Sequence, residues 1–492
     1  MTYFNEKIED IEILSKEQYP QKGQKRSKIR DDLPKLIREL GIKDGDSVSF
    51  HHHLRNGDRV LAHVMKGIQK AGIKDITLVA SSIFPNMAEI VELIEDGTIT
   101  NIVASYVSGP VGEAISKGKL KGRIIMQSHG GRARSILSGE VKINHAFIAA
   151  PSCDVKGNIS GVNGTNSCGA LGYAISDAIM GENTIAVTDF IAGYPNHPAD
   201  ITEDYIDYIL RVESIGEKSG IVSGTTMITK DPIGLKIAQD TLKAMIATGY
   251  VKDGLSFQTG AGGISLAVAD YLRDYMKEKE ITGSFASGGI TGYLVDMLEE
   301  GLFETLFDVQ CFDLKAVESI GKNENHLRMS GSLYGNPDVS CVVDNLDIVI
   351  LGATEIDTDF NVNVTTGSHG MLMGGSGGHQ DTAFGSKVSI IVSKLFSSRI
   401  PFIKDRVDVI TTPGNTVDIL VTERGISINP LRTDLIEKFK AAKVDTIDIH
   451  DLKKYAEDVM GVPKKIEKTD RIVGLSQSRT GDILDYIYEV KH

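Results

Sequence analysis

Two segments concentrate glycine beside polar side chains, a composition suited to contact between bare backbone and a ligand. In QTGAGGISLAVADYL, residues 258–272, Gly260, Gly262 and Gly263 separate an apolar run from a helical pattern. Such a loop exposes N–H groups at a helix start, which suits phosphate or a developing oxyanion; it equally suits a tight strand-to-helix turn. The spacing is not GxGxxG and no Lys-Ser/Thr pair follows, so dinucleotide and P-loop chemistry are disfavoured. In TTGSHGMLMGGSGGHQDTAFGSK, residues 365–387, Gly367, Gly370, Gly374, Gly375, Gly377, Gly378 and Gly385 carry a large ordering cost. A purely structural loop seldom needs so many, which points to a backbone that hugs a substrate. Its His369, Ser376, His379, Gln380 and Asp381 suit the orientation of a carboxylate or the polarisation of a carbonyl.

Three further segments bring charge. Glu355 follows the apolar run DIVILGA, among Asp357 and Asp359. A carboxylate at a strand's C-terminal end can serve as nucleophile or base, and neighbouring acids would raise its pKa; a surface acid is the other reading. Phe50 is followed by HHHLRNGD. Alternate residues of an extended strand point to opposite faces, so only His51 and His53 share a side, and no spaced carboxylate or thiolate completes a metal set. The expectation is no metal. His52, His53 and Arg55 instead suit the carboxylates of a polyanionic acid, with a purely structural role as the alternative. In SHGGRARSILSGE, residues 128–140, Arg132 and Arg134 follow Gly130 and Gly131, as in phosphate or carboxylate recognition or in a plain helix start.

The elements that must position these residues alternate along the chain. SVSF, ITLVA, NIVASY and AFIAA interleave with amphipathic windows such as VLAHVMKGIQKAG, the pattern of βαβ units around a mainly parallel sheet. The plan then repeats. Phe50 before HHHLRNGD matches Phe257 before QTGAGGIS, Asp154 and Asn158 match Asp357 and Asn361, and Glu213 matches Glu423. The ordered matches imply duplication. The expected organisation is an N-terminal arm over 1–44, α/β halves over 45–225 and 226–465, and a hairpin tail over 466–492 that turns at Arg479–Asp482. The arm's Lys22, Lys25, Arg26, Lys28 and Arg30 read as a solvated charge run or a docking patch for an acidic protein. Ligands in open α/β sheets bind beyond the strands' carboxyl ends, so the loops after SVSF, GLSF, AFIAA and DIVILGA are where a site is expected.

Lys plus Arg is 53 against 66 for Asp plus Glu, a net charge of −13, which disfavours nucleic acid and anionic membranes. With 41% hydrophobic and 24% charged residues, the chain reads as globular. Cys153, Cys168, Cys311 and Cys341 show neither zinc spacing nor disulfide density, and no apolar stretch is long enough to span a bilayer. The N-terminal MTYFNEKIEDIEIL is acidic and lacks a leader pattern, so a cytoplasmic protein is expected.

QTGAGGISLAVADYL, ATEIDTDFNVN, GGSGGHQD and VDVITTPGNTVDILVTERG together resemble the coenzyme A transferase superfamily over most of residues 45–460. HHHLRNGD, SHGGRARSILSGE, SGGITGYLVDMLEEGLFETLFDVQCFD and GSGGHQDTAFGSK are similar to citrate lyase alpha subunits. The resemblance implies two duplicated, mainly parallel-sheet domains packed around a shared cleft. It implies that citrate displaces acetate from an acetyl thioester on an acyl carrier protein, giving citryl thioester. The thiol would belong to a CoA-derived prosthetic group on a gamma subunit, with none bound covalently to this chain and acetyl-CoA as a further substrate. A beta subunit would cleave the citryl thioester within an oligomeric complex. Gly260, Gly262, Gly263, Gly375, Gly377 and Gly378 are then expected around the thioester carbonyl, and His52, His53, Arg55, Arg132, Arg134, Ser376, His379 and Gln380 around substrate. Glu355 is expected to act as nucleophile or electrostatic partner, or else citrate attacks directly through a mixed anhydride. Phe360 stands where the first half has Gly157 and relatives have a small residue, so a differently shaped loop is expected there. Acetate CoA-transferase, acyl-CoA hydrolase and a non-catalytic scaffold are the alternatives.

Overall fold

The computed structural model describes residues 27–222, 227–397, 400–462 and 464–491. Lys22, Lys25 and Arg26 of the basic arm, and the expected 225/226 boundary, lie outside these residues. Lys28 donates to the carbonyls of Glu203 and Ile206, and Arg30 pairs with Glu39, so these two cations are already engaged.

Each half is built on seven parallel strands in one shared order. In the first, Tyr208–Arg211, Asn183–Thr188, His145–Ala149, Ser47–Phe50, Ile76–Ala80, Ile99–Ala104 and Ile124–Met126 lie side by side. In the second, the order is Ile419–Thr422, Val388–Val392, Ile348–Gly352, Ser256–Thr259, Gly283–Ile290, Phe303–Cys311 and His326–Arg328. Strands such as ITLVA and VSIIV are mostly apolar, with a single hydroxyl residue each, because a parallel sheet is covered on both faces. The helix Val60–Lys70 follows the central strand of the first half and buries Val60, Leu61, Val64, Met65 and Ile68; Gly263–Lys279 follows its counterpart in the second.

The edges differ. Ile29–Arg30 extends the first sheet at one side. At the other, Lys468–Gln477 lies parallel to Ile124–Met126 and pairs antiparallel with Ile483–Val490, completing ten strands. The C-terminal segment is thus a hairpin, but one incorporated into the first half's sheet. Gly425–Ile428 adds an antiparallel edge to the second sheet of eight.

Duplication reaches down to single turns. Asp154 Oδ1 accepts the backbone N–H groups of Lys156, Gly157 and Asn158, and Asn158 Nδ2 returns to Asp154 Oδ2 at 2.9 Å. Asp357 Oδ1 accepts those of Asp359 and Asn361, and Asn361 Nδ2 returns at 3.2 Å. Gly157 has φ 112 and Phe360 has φ 64, so both turns use a left-handed residue. The expected difference in loop shape is therefore not found. A left-handed non-glycine costs about 1 kcal/mol, and burial of the Phe360 ring, 1% exposed in a cluster with Phe402 and Ile403, offsets it.

The halves meet through loop-to-helix contacts that the duplication relates. His129 N–H donates to Gly377 O at 2.7 Å, and Gly331 N–H to Gly172 O at 2.8 Å. The four cysteines are buried free thiols. Among the described residues no helix is long and apolar enough to cross a membrane.

Candidate active site

The loops that follow the first half's central strands converge on residues from the second half. His52, two residues beyond the strand Ser47–Phe50, shares a hydrogen bond between its Nδ1 and Ser81 Oγ, and its carbonyl accepts Gln310 Nε2 at 3.0 Å. Its ring lies 5.6 Å from Tyr173, 6.3 Å from His129 and 5.4 Å from Phe84. His129 packs on Tyr173 at 4.2 Å. His51 and His53 share one side of the chain with rings 4.1 Å apart, and His51 Nε2 lies 3.2 Å from Ala149 O. Among the described residues, both ring nitrogens of His53 and Nδ1 of His129 are buried without a hydrogen-bond partner.

Arg55 supplies the cation. Its guanidinium sits 4.5 Å over the Phe312 ring of the second half and 5.7 Å from that of Phe84 in the first. Among the described residues it has no ion pair, and its Nε is buried without a partner. Its φ of 51 is left-handed, a strained setting for a non-glycine residue. The imidazoles add donors rather than charge. Burial, with the charges of Arg55 and Arg132 and the neighbouring imidazoles, holds His52 well below the usual histidine range. Burial does the same for His53, and burial with Arg132 lowers His129 to about 3. Desolvation also lowers the pKa of Arg55. A desolvated, unpaired guanidinium beside neutral N–H donors is a natural receptor for carboxylates.

The glycines divide into two kinds. A methyl group at Gly374 would lie 2.3 Å from Val364 O, at Gly375 2.3 Å from Ser105 O, and at Gly378 2.0 Å from the Tyr334 hydroxyl. Close packing explains those three. At Gly260 and Gly262 the nearest atoms lie 3.6 Å or more away, leaving open space over the backbone. At Gly263 the space is closed, since a methyl group there would lie 3.0 Å from Met227 O and 3.2 Å from Thr229 N. Gly377 is left-handed with φ 51; a Cβ there would lie 3.5 Å from His129 Nε2.

Several expected ligand groups are already committed to protein partners. Arg132 makes a bidentate pair with Asp177 at 3.0 and 2.7 Å, with side chains 2% and 3% exposed. Arg134 pairs with Glu140 at 2.5 Å. His379 has Nδ1 2.8 Å from Thr412 Oγ1 and Nε2 2.9 Å from Gly352 O, while Gln380 donates to Thr411 O at 2.8 Å and accepts Arg479 N–H. Ser376 Oγ receives Gln380 N–H at 3.3 Å. These residues lock the glycine loop to its surroundings. Asp381 goes further: it accepts Ser128 Oγ at 2.6 Å and Gly130 N–H at 2.9 Å from the other half.

Glu355 opens the short strand Glu355–Asp357. Its carboxylate accepts Asn363 Nδ2 at 3.1 Å and Asp408 N–H at 3.3 Å, and lies 3.7 Å from Lys404 Nζ. None of these partners belongs to loop 260–263 or 374–378. The link runs through the backbone: His379 bonds to Gly352, and Gly260 N–H donates to Ile350 O at 2.9 Å, both on the strand that leads to Glu355.

His129, Tyr173, Tyr334, Gln310 and Phe312 were not singled out from the sequence. His129 had a local signal, a ring placed directly after Ser128, which caps the helix His129–Leu137 through Gly131 N–H. The others enter only through tertiary packing; Gln310 lies 258 positions from His52.

Comparison with known proteins follows the same lines. The sequence pattern described as citrate lyase, alpha subunit (CitF) matches residues 26–490. The citrate lyase alpha chain of Escherichia coli (strain K12) is 43% identical over 477 residues, covering 97% of this chain and 94% of that one. A solved structure of an alpha subunit of citrate lyase from Streptococcus mutans, in complex with citrate, superposes with a TM-score of 0.94 at 43% identity, over 96% of this chain and 94% of that chain. A malonate decarboxylase hetero-tetramer from Pseudomonas, at 15% identity, TM-score 0.65 and 88% coverage of each chain, shares the fold alone. Matched over nearly its whole length in pattern, sequence and structure, the chain belongs to the citrate lyase alpha subunit family.

Proposed function

We propose that the chain is a citrate CoA-transferase that exchanges acetyl for citryl on a thioester, releasing acetate. The observation that carries this reading is Arg55, without an ion pair among the described residues, beside neutral, partly unpartnered imidazoles where the two halves meet, one of which, His129, lies next to the bare α-carbon of Gly377. A tricarboxylate needs a cation and several donors, and this cluster offers both. His52, His53 and Arg55 hold substrate carboxylates; the open backbone at Gly260 and Gly262, with Gly263 starting the helix behind them, takes the thioester arm; Gly377 and Gly378 border the reacting carbonyl.

In this reaction a carboxylate oxygen attacks the thioester carbon, the π pair moves to oxygen, and collapse expels the thiolate to leave a mixed anhydride. The thiolate then attacks the citryl carbon and acetate departs. No net proton transfer is required, which accords with a site of neutral imidazoles. Glu355 serves as electrostatic partner: a carboxylate engaged by Asn363, Asp408 N–H and Lys404 is a poorer nucleophile than a free one, which favours direct attack by citrate. Arg132, Arg134, His379, Gln380, Ser376 and Gly375 support the pocket walls through the partners described above.

The thioester is carried by a CoA-derived arm on an acyl carrier protein, with a lyase subunit acting on the product in a shared complex; four buried thiols without disulfides accord with a cytoplasmic setting. The test is direct. Full-length chain with acetyl-CoA and labelled citrate yields citryl-CoA and acetate in equal amounts. Citrate-independent loss of acetyl-CoA marks a hydrolase, exchange with acetate alone an acetate transferase, and no turnover a scaffold.

A further inference from the structure

This inference rests on the exchange reading and assigns a role within it to a residue that neither the motifs nor the comparisons single out. His129 begins a helix whose first turn is fixed from both halves. Ser128 caps it, Asp381 receives Ser128 Oγ and Gly130 N–H, and His129 N–H itself donates to Gly377 O at 2.7 Å. The ring is braced by Tyr173 at 4.2 Å. Its orientation is therefore set before any ligand arrives.

The two ring nitrogens differ. Nδ1 is buried with no partner, whereas Nε2 has no protein partner and is not enclosed among the described residues. Nε2 lies 3.5 Å from the point a Cβ on Gly377 would occupy, and Gly377 has none. The adjoining Gly378 N–H likewise makes no hydrogen bond among the described residues. A lone pair is the cheaper group to leave dry, since buried orphan donors are rarer than under-satisfied acceptors. The proton thus belongs on Nε2, at the open edge. Burial and the Arg132 charge keep the ring neutral at physiological pH.

We propose that His129 is a catalytic residue that donates an Nε2–H hydrogen bond to the thioester carbonyl oxygen as it becomes an oxyanion, with Gly378 N–H as the second donor. When the substrate carboxylate forms its C–O bond, the π pair moves onto this oxygen. When the C–S bond breaks, the pair returns and sulfur leaves with the bonding electrons. The imidazole keeps its proton throughout. A neutral donor suits this task because an imidazolium would surrender its proton and trap the tetrahedral species.

Full-length His129→Ala and His129→Gln are compared with wild type using acetyl-CoA and labelled citrate. Alanine is expected to lower kcat by roughly 10²–10³ with the KM for citrate within about threefold, the range seen when one oxyanion donor is removed. Glutamine, which retains an N–H donor, should recover at least about tenfold of that loss. Nitrogen-15 NMR of the wild-type imidazole should show neutral Nε2–H between pH 6 and 9, and a proton shift at His129 when acetyl-CoA binds. The NMR reading stands apart from turnover, so wild type that fails to exchange indicts the transferase reading alone. An alanine variant with near-normal kcat, a defect confined to the KM for citrate, or a ring that is Nδ1–H or charged in the thioester complex overturns the role of His129.

Discussion

Asp381 accepts the hydroxyl of Ser128 at 2.6 Å across 253 positions of sequence, and Gly130 N–H fills its second oxygen at 2.9 Å. One carboxylate of the second half therefore fixes the residues on either side of His129 in the first.

Asp381→Asn keeps one acceptor but turns an NH2 group toward a donor, so stability should drop by about 1–3 kcal/mol. The loss should vary with pH. Burial pushes the Asp381 carboxyl up to about 6, above its unfolded value near 4. Its contribution to stability is full below the unfolded pKa and is lost as pH rises through about 6. Denaturant titrations should thus find the variant's deficit largest near pH 4 and smaller at pH 7; a deficit that grows across that window contradicts the assignment.

Arg55→Lys replaces a planar group stacked on Phe312 with a compact ammonium. Citrate affinity, measured by calorimetry, should fall about 10- to 100-fold, about 1.4–2.8 kcal/mol, while the melting temperature moves little. Unchanged citrate affinity would remove Arg55 from the substrate site.

Arg132 should behave differently. Arg132→Met leaves Asp177 charged and buried, costing about 3–5 kcal/mol, whereas Arg132→Met with Asp177→Leu should recover most of the loss. Citrate affinity of the folded double variant should stay within a few fold of wild type. A large loss there would assign the guanidinium to substrate after all.

Asp58 sits in the loop after Arg55, with Oδ2 buried and unpartnered among the described residues, and burial pushes its carboxyl up to about 7. The charged form is costly, so Asp58→Asn should stabilise the protein at pH 8, on the order of 2 kcal/mol. The sign follows as for Asp381: the aspartate's contribution is lost as pH rises through 7, so the variant's advantage shrinks toward pH 4. Equal melting curves at both pH values would contradict it.

The architecture was legible because its signals are local. Alternating apolar runs and helical windows mark each βα unit, and the match of Asp154–Asn158 with Asp357–Asn361 marks a turn whose hydrogen bonds close within five residues. The site was legible only in part. A motif shows which side chains are present, not which atoms already have partners. Arg132 finds Asp177 45 positions away, His379 finds Thr412 33 positions away, and Gln380 meets Arg479 99 positions away. Phe360 misled for another reason: residue type suggested a new loop, but burial of the ring compensates for a left-handed backbone.

The strand at 468–477 borders one laid down near residue 124. A ribosome must therefore deliver some 340 intervening residues before the first sheet acquires that neighbour, at synthesis rates of roughly 5–20 residues per second. During that interval the edge at Ile124–Met126 stays unsatisfied and open to foreign strands. Arg479, whose backbone and side chain contact Gln380, Asp381 and Gly335, arrives with the same late segment. Separately expressed halves divided near residue 225 would leave the first without its border, and nascent chains would be most in need of chaperones just before translation reaches it.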